Sequence, residues 1–505
     1  MSQPSLEVVL SGQEEEIIRQ KRLSGIARNS AAMLAGQVII KILSFVFSVF
    51  VVRRLGASDF GIYTSIMAFA FIFAMLTDLG TSTLSTREMA RIEANVAWMI
   101  PDTMTIRAIL SLLVIIGNTL AAWLLGRPVE IIIGTFIASI GLLLYAIHGP
   151  LDSLLIAKER LYYSSLFNVF NQVTFVILGT IALLSGKGYL GLLTASLLGV
   201  FVMGTASATI VLKQLKIRFV RPAPSRWKNL LKASLPFGVI GVIVEFSARF
   251  DTVFMSFILP FAVVGYYNVS NNLILATMLM AQSLALSMFP AMVKEYNSGK
   301  GSIKDTVQRA MRYLLMISLP VSVGGTLIAH RLILILYGKE FEQAIIVFRI
   351  MIWALPFMFL AEVLGRTSIV MNLERKVAAF IAVNACISIG MSLTLIPAFG
   401  AIGAAIALVI NRFNNVLLSI IILKPKLLFE GNVFPLIRVV IASLVMGIVV
   451  MVLGRYSILS NQNSIFSLLL LILAGAIIYL ISLFSFKAVT TGEARFVFNT
   501  IRRRN

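Results

Sequence analysis

Apolar runs of some 20 residues alternate along the chain with short polar, charged or glycine-containing connections, a pattern that predicts about fourteen membrane-crossing helices. Each run is long enough to cross ~30 Å of hydrocarbon at a rise of about 1.5 Å per residue. They are expected near 29–52, 59–85, 104–125, 130–157, 162–185, 190–212, 233–258, 264–289, 308–330, 343–371, 377–396, 401–423, 435–453 and 464–486. The fold class this implies is an all-α polytopic membrane protein with short connections and no substantial extramembrane domain. An even number of crossings puts both termini on one face.

Composition agrees. Of 505 residues, 59% are hydrophobic and 13% charged, whereas a soluble domain carries about 25% charged residues. A net charge of +21 in a soluble protein would suggest nucleic acid. Here most Lys and Arg fall in the connections and tails on one side, as the positive-inside rule requires. That excludes nucleic acid as the natural partner, points to anionic lipid headgroups, and makes both termini cytoplasmic in a multi-pass protein of the cytoplasmic membrane. Arg53 and Arg54 are the exception on the outer face, paired with Asp59 or bound to headgroups. The single cysteine, Cys386, reads as a small buried hydrophobe. The first residues contain Glu14, Glu15 and Glu16 and no apolar core, so they do not read as a cleavable signal.

Two pairs of segments resemble one another across the chain. Arg54–Tyr63 (RLGASDFGIY) is similar to Leu259–Tyr267 (LPFAVVGYY), and Gly188–Gly191 (GYLG) to Gly400–Gly403 (GAIG). This predicts two parallel six-helix lobes with two helices appended. The divisions are a cytoplasmic N-terminal segment 1–28, an N-lobe 29–212, a basic cytoplasmic linker 213–232, a C-lobe 233–423, the added helices within 424–486, and a basic cytoplasmic tail 487–505. Transporters built from parallel repeats carry their substrate between the halves.

Charges inside the apolar runs carry the candidate chemistry. An ionised side chain at mid-bilayer costs about 2.5–3.5 kcal/mol on insertion scales, and such groups face a bundle interior or a wet cavity. Lys41 and Arg412 sit near the middle of their runs with no acid three or four residues away. They line a cavity or pair with another helix. In Leu235–Asp251 (LPFGVIGVIVEFSARFD), Glu245 precedes Arg249 by four residues, which makes either a structural pair or a cavity pair. Arg366 stands in the same relation to Glu362, while Arg349 is near enough to the outer end to snorkel. Asp78, without a local cation, and Asp251 are candidate H⁺ or Na⁺ sites, and Asp152 follows His148 by one turn. Asn411 and Asn415 flank Arg412, along with Asn414, and amides there suit sugar hydroxyls; Asn168, Asn171 and Asn384 read as helix-joining amides.

The stretch Ser24–Arg91 resembles the polysaccharide-biosynthesis flippases of the multidrug/oligosaccharidyl-lipid/polysaccharide exporter superfamily. The residues that carry the likeness are Asn29, the RLGASDFGIY turn, Thr77–Gly80 (TDLG), Arg87–Arg91 (REMAR) and, in the second half, Val264–Asn272 (VGYYNVSNN). The resemblance implies alternating access by two lobes around a central cavity. It implies a polyprenyl-(di)phosphate-linked oligosaccharide or polysaccharide precursor as substrate, with the tail lying along the two added helices. Lys41, Arg249, Arg412, Glu245, Asn411 and Asn415 are the expected substrate contacts, and Asp78 and Asp251 the ion-coupling ones. A cation-coupled multidrug exporter of the same superfamily and a membrane-embedded glycosyltransferase or polymerase are the alternatives. No Walker loop, HExxH motif, cysteine cluster or DxD carboxylate pair occurs, so neither catalysis nor a cofactor or metal is expected. Expected partners are the lipid-linked glycan, anionic lipids, H⁺ or Na⁺, and glycan-assembly proteins.

Overall fold

A computed structural model of the chain describes residues 6–92, 95–215, 219–298, 303–423, 434–454 and 464–488. The far end of the expected N-terminal segment and the tail beyond residue 488 lie outside them. Among the described residues ten helices are long and apolar enough to cross a membrane, and Ile437–Leu453 is a shorter apolar one. The chain is therefore a multi-pass α-helical membrane protein. Contacts divide it into two compact units, one holding the chain up to Val51 and Ile66–Phe246, the other Val52–Ser65 and everything from Ser247.

Helix α1 (Leu6–Ile72) is broken at Gly56, whose φ of 75° is left-handed. A side chain there would also meet the Glu340 carboxylate at 2.9 Å, so the position needs glycine on both counts. The first unit continues through α2 (Ala74–Asp78), α3 (Thr81–Arg91), α4 (Val96–Leu124), α5 (Val129–Ala157), α6 (Leu161–Leu184) and α7 (Gly188–Leu215), and takes in the start of α8 (Pro224–Ile258). The single helix expected over 59–85 does not persist. It stops at Ile72, and after α2 the backbone turns left-handed at Leu79 (φ 42°) and Gly80 (φ 78°). A Cβ on Gly80 would lie 2.5 Å from the Ser234 carbonyl oxygen and the Gly238 nitrogen, so the break is where α8 seats against it.

The basic linker expected over 213–232 is shorter than the charge pattern suggests, because α8 already begins at Pro224. Proline suits a first helical turn, where its missing N–H has no partner to lose. The connection is tied to α4: Val220 N–H donates to the Ala97 carbonyl at 2.9 Å and Ala223 N–H to Asp102 at 2.9 Å. Arg226 grips both oxygens of the fully buried Asp102, at 2.5 and 3.1 Å, and lies over the Trp98 ring. The core beside this clamp is built from Met99, Ile100, Leu151, Leu154, Phe167, Met203 and Leu230.

In the second unit α9 (Phe261–Ser298) and α10 (Lys304–Tyr337) lead through a 3-10 turn at Lys339–Phe341 into α11 (Ala344–Met351), a further turn, and α12 (Leu355–Val370). The span expected over 343–371 is thus two helices in series. Helix α13 (Glu374–Leu423) is 50 residues long and broken at Gly400 (φ 59°), so its limbs supply the two crossings expected over 377–396 and 401–423. Helices α14 (Phe434–Leu453) and α15 (Ile465–Ser485) complete it. The turn of α1 around Gly56 is held here. Arg53 donates to the carbonyls of Ile335 and Leu336 at the end of α10, and the Ala57 N–H donates to Glu340 at 2.6 Å. Arg53 therefore caps unpaired helix-end carbonyls, a role the sequence did not suggest.

Helices associate in lipid through close packing, since hydrocarbon solvates leucine as well as a neighbouring helix does. Gly475 accordingly lets α15 approach Val450 of α14, and Gly447 lets α14 approach Val323 of α10. Large apolar residues turned outward, such as Leu124 and Phe466, are about as exposed as side chains can be in a helix (68% and 70%). That would be an aggregation hazard in water and is the expected face toward lipid. Cys386 belongs to this class. It is exposed on α13 beside Val383 and Ile387, not buried as its apolar surroundings suggested, because those surroundings are themselves exposed.

Candidate functional site

Along the first limb of α13, Asn384, Ser388 and Ser392 recur every four residues and so form one polar stripe. The second limb presents Asn411, Arg412 and Asn415. The two are joined by hydrogen bonds: Asn384 Nδ2 donates to Asn411 Oδ1 at 2.7 Å, and Asn411 Nδ2 donates to Ser388 Oγ at 2.6 Å. Ser392 Oγ lies at 2.5 Å from Asp251 Oδ1, and Tyr267 Oη from α9 donates to Asp251 Oδ2 at 3.2 Å. Asp251, Ser388, Ser392 and Tyr267 are all buried. Arg412 interacts electrostatically with both Tyr267 and Asp251. Three helices thus close a continuous polar core inside the second unit, and a buried carboxylate there is tolerable because each oxygen accepts a hydrogen bond and a guanidinium stands nearby.

Arg412 also borders a cavity of about 450 Å³, together with Asn415 on α13, Glu362 and Arg366 on α12, and Met278 on α9. Glu362 and Arg366 form the expected ion pair, at 3.8 Å. The Nε groups of both Arg366 and Arg412 are buried without a hydrogen-bond partner. Two planar donors and one amide converging on a chamber of this size suit a phosphate and the hydroxyls of an attached sugar.

A second cavity of about 550 Å³ runs between α10 and the pair α14 and α15, and its wall is almost wholly apolar. Met316, Pro320 and Ile328 line one side, Met446 and Val450 the next, and Leu471, Gly475 and Leu480 the third. Unbranched thioethers and glycines give a surface that accommodates a flexible hydrocarbon chain.

The first unit has an ionic core of its own. Asp78, which has no cation near it in the sequence, receives one from α4: Arg107 Nη1 stands 3.3 Å from Asp78 Oδ1 and 3.0 Å from Ser82 Oγ. The same Asp78 oxygen accepts the N–H and hydroxyl of Ser82, so it also fastens the first turn of α3. Arg107 fits because α5 carries glycine at 149, where a Cβ would lie 2.2 Å from its Nη1. Asp78 is thus part of a buried pair. Lys41 is exposed on α1 in this unit. Glu245 and Arg249 stand half-buried on α8, each engaged in an interaction. Of the sequence candidates, then, Asp251, Asn411, Arg412 and Asn415 are brought together in the second unit, Arg249 stands two residues before Asp251 on α8, and Asp78 pairs with Arg107 in the first unit. Ser388, Ser392 and Tyr267 are the participants sequence reasoning missed, although the four-residue spacing of Asn384, Ser388 and Ser392 was there to be read.

A probable low-salt glycan biosynthesis flippase, Agl15 of Haloferax volcanii, is 21% identical over 464 residues, 90% of this chain and 94% of the relative. Among solved structures, the lipid II flippase MurJ in an inward closed conformation matches with a TM-score of 0.74 at 16% identity, covering 89% of this chain and 97% of that one. An inward-facing multidrug resistance transporter of the MATE family, in the MOP superfamily, matches with a TM-score of 0.59 at 17% identity, over 76% and 92%. These likenesses establish a shared fold. The profile of the polysaccharide biosynthesis protein family matches residues 26–295, more than half the chain, and the protein belongs to that family.

Proposed function

We propose that the protein is a flippase that carries a polyprenyl-(di)phosphate-linked oligosaccharide or polysaccharide precursor from the cytoplasmic to the outer leaflet of the cytoplasmic membrane, by alternating access. The observation that carries this reading is the chamber bordered by Arg366, Arg412 and Asn415, two guanidinium groups and an amide, with Glu362 paired to one of the arginines. The apolar cavity along α10, α14 and α15 supports it, because the substrate needs a polar berth for its headgroup and an oily one for its tail. The flippase named among the relatives and the lipid II flippase fold are in keeping with it. Both termini face the cytoplasm in this reading, where the basic connections draw anionic lipid and the substrate's phosphate.

A cationic drug would meet two arginines in the chamber, which disfavours the exporter alternative. The test is flipping of a fluorescent lipid-linked glycan in proteoliposomes. Replacing Arg366 and Arg412 singly by alanine is expected to lower the initial rate at least about tenfold, the loss of one charge-assisted contact of roughly 1.5–3 kcal/mol. Unchanged rates in both variants would refute the headgroup assignment.

A further inference from the structure

One residue at the wall of the headgroup chamber, Glu362, carries the wrong sign for a phosphate. It lies on α12 one turn before Arg366, and the two side chains, each about a quarter exposed, pair at 3.8 Å. An acid and a base four residues apart on a helix share one face, so this carboxylate stays at the chamber whether or not a ligand is there. Arg412 and Asn415 come to the same chamber from α13. Among the described residues at the wall the charges are therefore two positive and one negative, a balance of one positive charge. Asp251, buried in the polar core of the same unit, has the sign of Glu362, so counting it lowers the balance further.

We propose that Glu362 is a specificity-determining residue, which fits the chamber to a glycan joined to its lipid through a single phosphate and sets it against one joined through a diphosphate. This rests on the reading of the chamber as the headgroup site. A phosphodiester brings one negative charge, which the wall balances. A diphosphate linkage brings two, and one of them is left without a partner. Volume does not make the distinction, since a second phosphate is a small addition within about 450 Å³. Charge does, because a charge taken out of bulk water without a partner is costly. In the absence of Glu362 each arginine would be open to one phosphate. With it, Arg366 already has a carboxylate at 3.8 Å, and a second phosphate must compete for the same guanidinium. The carboxylate is thus a repulsive element against the more highly charged anion, while its oxygens remain acceptors for hydroxyls of the first sugar.

The experiment uses the full-length protein in nanodiscs of neutral lipid. Two probes share one chain and one sugar, farnesyl phosphoryl glucose and farnesyl diphosphoryl glucose. Farnesyl diphosphate, which lacks the sugar, serves beside them as the reference ligand for the arginines. Empty nanodiscs give the partitioning of each probe into lipid, which is subtracted. The wild type is expected to bind the single-phosphate probe at least about tenfold more tightly, the effect of one unbalanced charge in a partly dehydrated site. Glu362→Gln keeps the size and removes the charge. It is expected to bring the two affinities within about twofold or to reverse their order, by tightening the diphosphate probe more than the other. A wild type that binds both probes equally, or the diphosphate more tightly, overturns the assignment and leaves the chamber's role standing. So does a preference that survives unchanged in Glu362→Gln, or a loss of both affinities there in equal proportion, which marks the carboxylate as no more than a brace for Arg366. Should Glu362→Gln fail to fold, as judged by size-exclusion elution, the wild-type ratio alone decides. Binding of neither probe by the wild type overturns both readings.

Discussion

Single side chains in this protein are held to tolerances of a few tenths of an ångström, and the clearest case is Arg107. Its guanidinium occupies the space where a side chain on residue 149 would begin, 2.2 Å from an added Cβ, while it pairs with Asp78 and Ser82. Gly149→Ala must push either α5 or the arginine aside. The arginine is the tip of a flexible chain but is itself buried and paired, so the displacement breaks a largely buried ion pair. Overpacking of this kind costs about 1–3 kcal/mol, and loss of a buried charge partner adds to it. Gly149→Ala is therefore expected to unfold well below the wild type in a thermal scan in detergent, whereas Gly117→Ala, at a glycine with open space around it, is expected to leave the transition in place. Arg412 poses a different question at this scale, since charge alone does not distinguish it from lysine. Lysine presents a compact ammonium where the chamber has a planar fork. Arg412→Lys is expected to retain part of the binding that Arg412→Ala loses, and equal affinities for farnesyl diphosphate in the two variants would show that the fork's geometry has no role.

At the scale of helices the apolar pattern was legible nearly to the residue where a crossing faces lipid on most sides, as for α6, α14 and α15. It failed where the backbone is interrupted for reasons that lie in another helix. Nothing local in 59–85 announces the left-handed pair Leu79 and Gly80, because α8 makes that break necessary by seating Gly238 against it. Likewise the basic residues before 233 read as a solvated linker, and only the buried Asp102 across from Arg226 reveals a clamp. The candidate site was half visible for the same reason: Asp251 and Arg412 stand out as charges, but their proximity is a property of how the limbs of α13 pack on α8. Helices α14 and α15 then offer a direct test of the tail's berth. Ala476→Trp adds a bulky side chain to the wall of the 550 Å³ cavity, far along the chain from any charged group of the chamber. It is expected to slow flipping of a long-chain polyprenyl substrate severalfold while leaving the affinity for farnesyl diphosphate, whose chain is short, unchanged within about twofold. An equal effect on both would separate the cavity from the tail.

For the molecule as a whole, orientation decides which leaflet the substrate leaves. In the topology the sequence predicts, the net charge of +21 places most cations on the cytoplasmic face together with the connection before α8, and such a bias sets the topology of multi-pass proteins. Arg53 and Arg54, just before Gly56, run against the expected bias, but Arg53 donates to the carbonyls at the end of α10 and so serves a helix end. Two exposed serines report the two faces: Ser58 in the turn after Gly56 and Ser225 at the start of α8. In a background where Cys386→Ser removes the single native thiol, Ser58→Cys is expected to react with a membrane-impermeant maleimide added to intact cells, and Ser225→Cys to react only in inverted vesicles. Both substitutions are isosteric and lie away from the polar cores, so neither should disturb folding. The reverse pattern would place the clamp outside, and the headgroup would then have to be taken up from the face that the charge distribution assigns to its release.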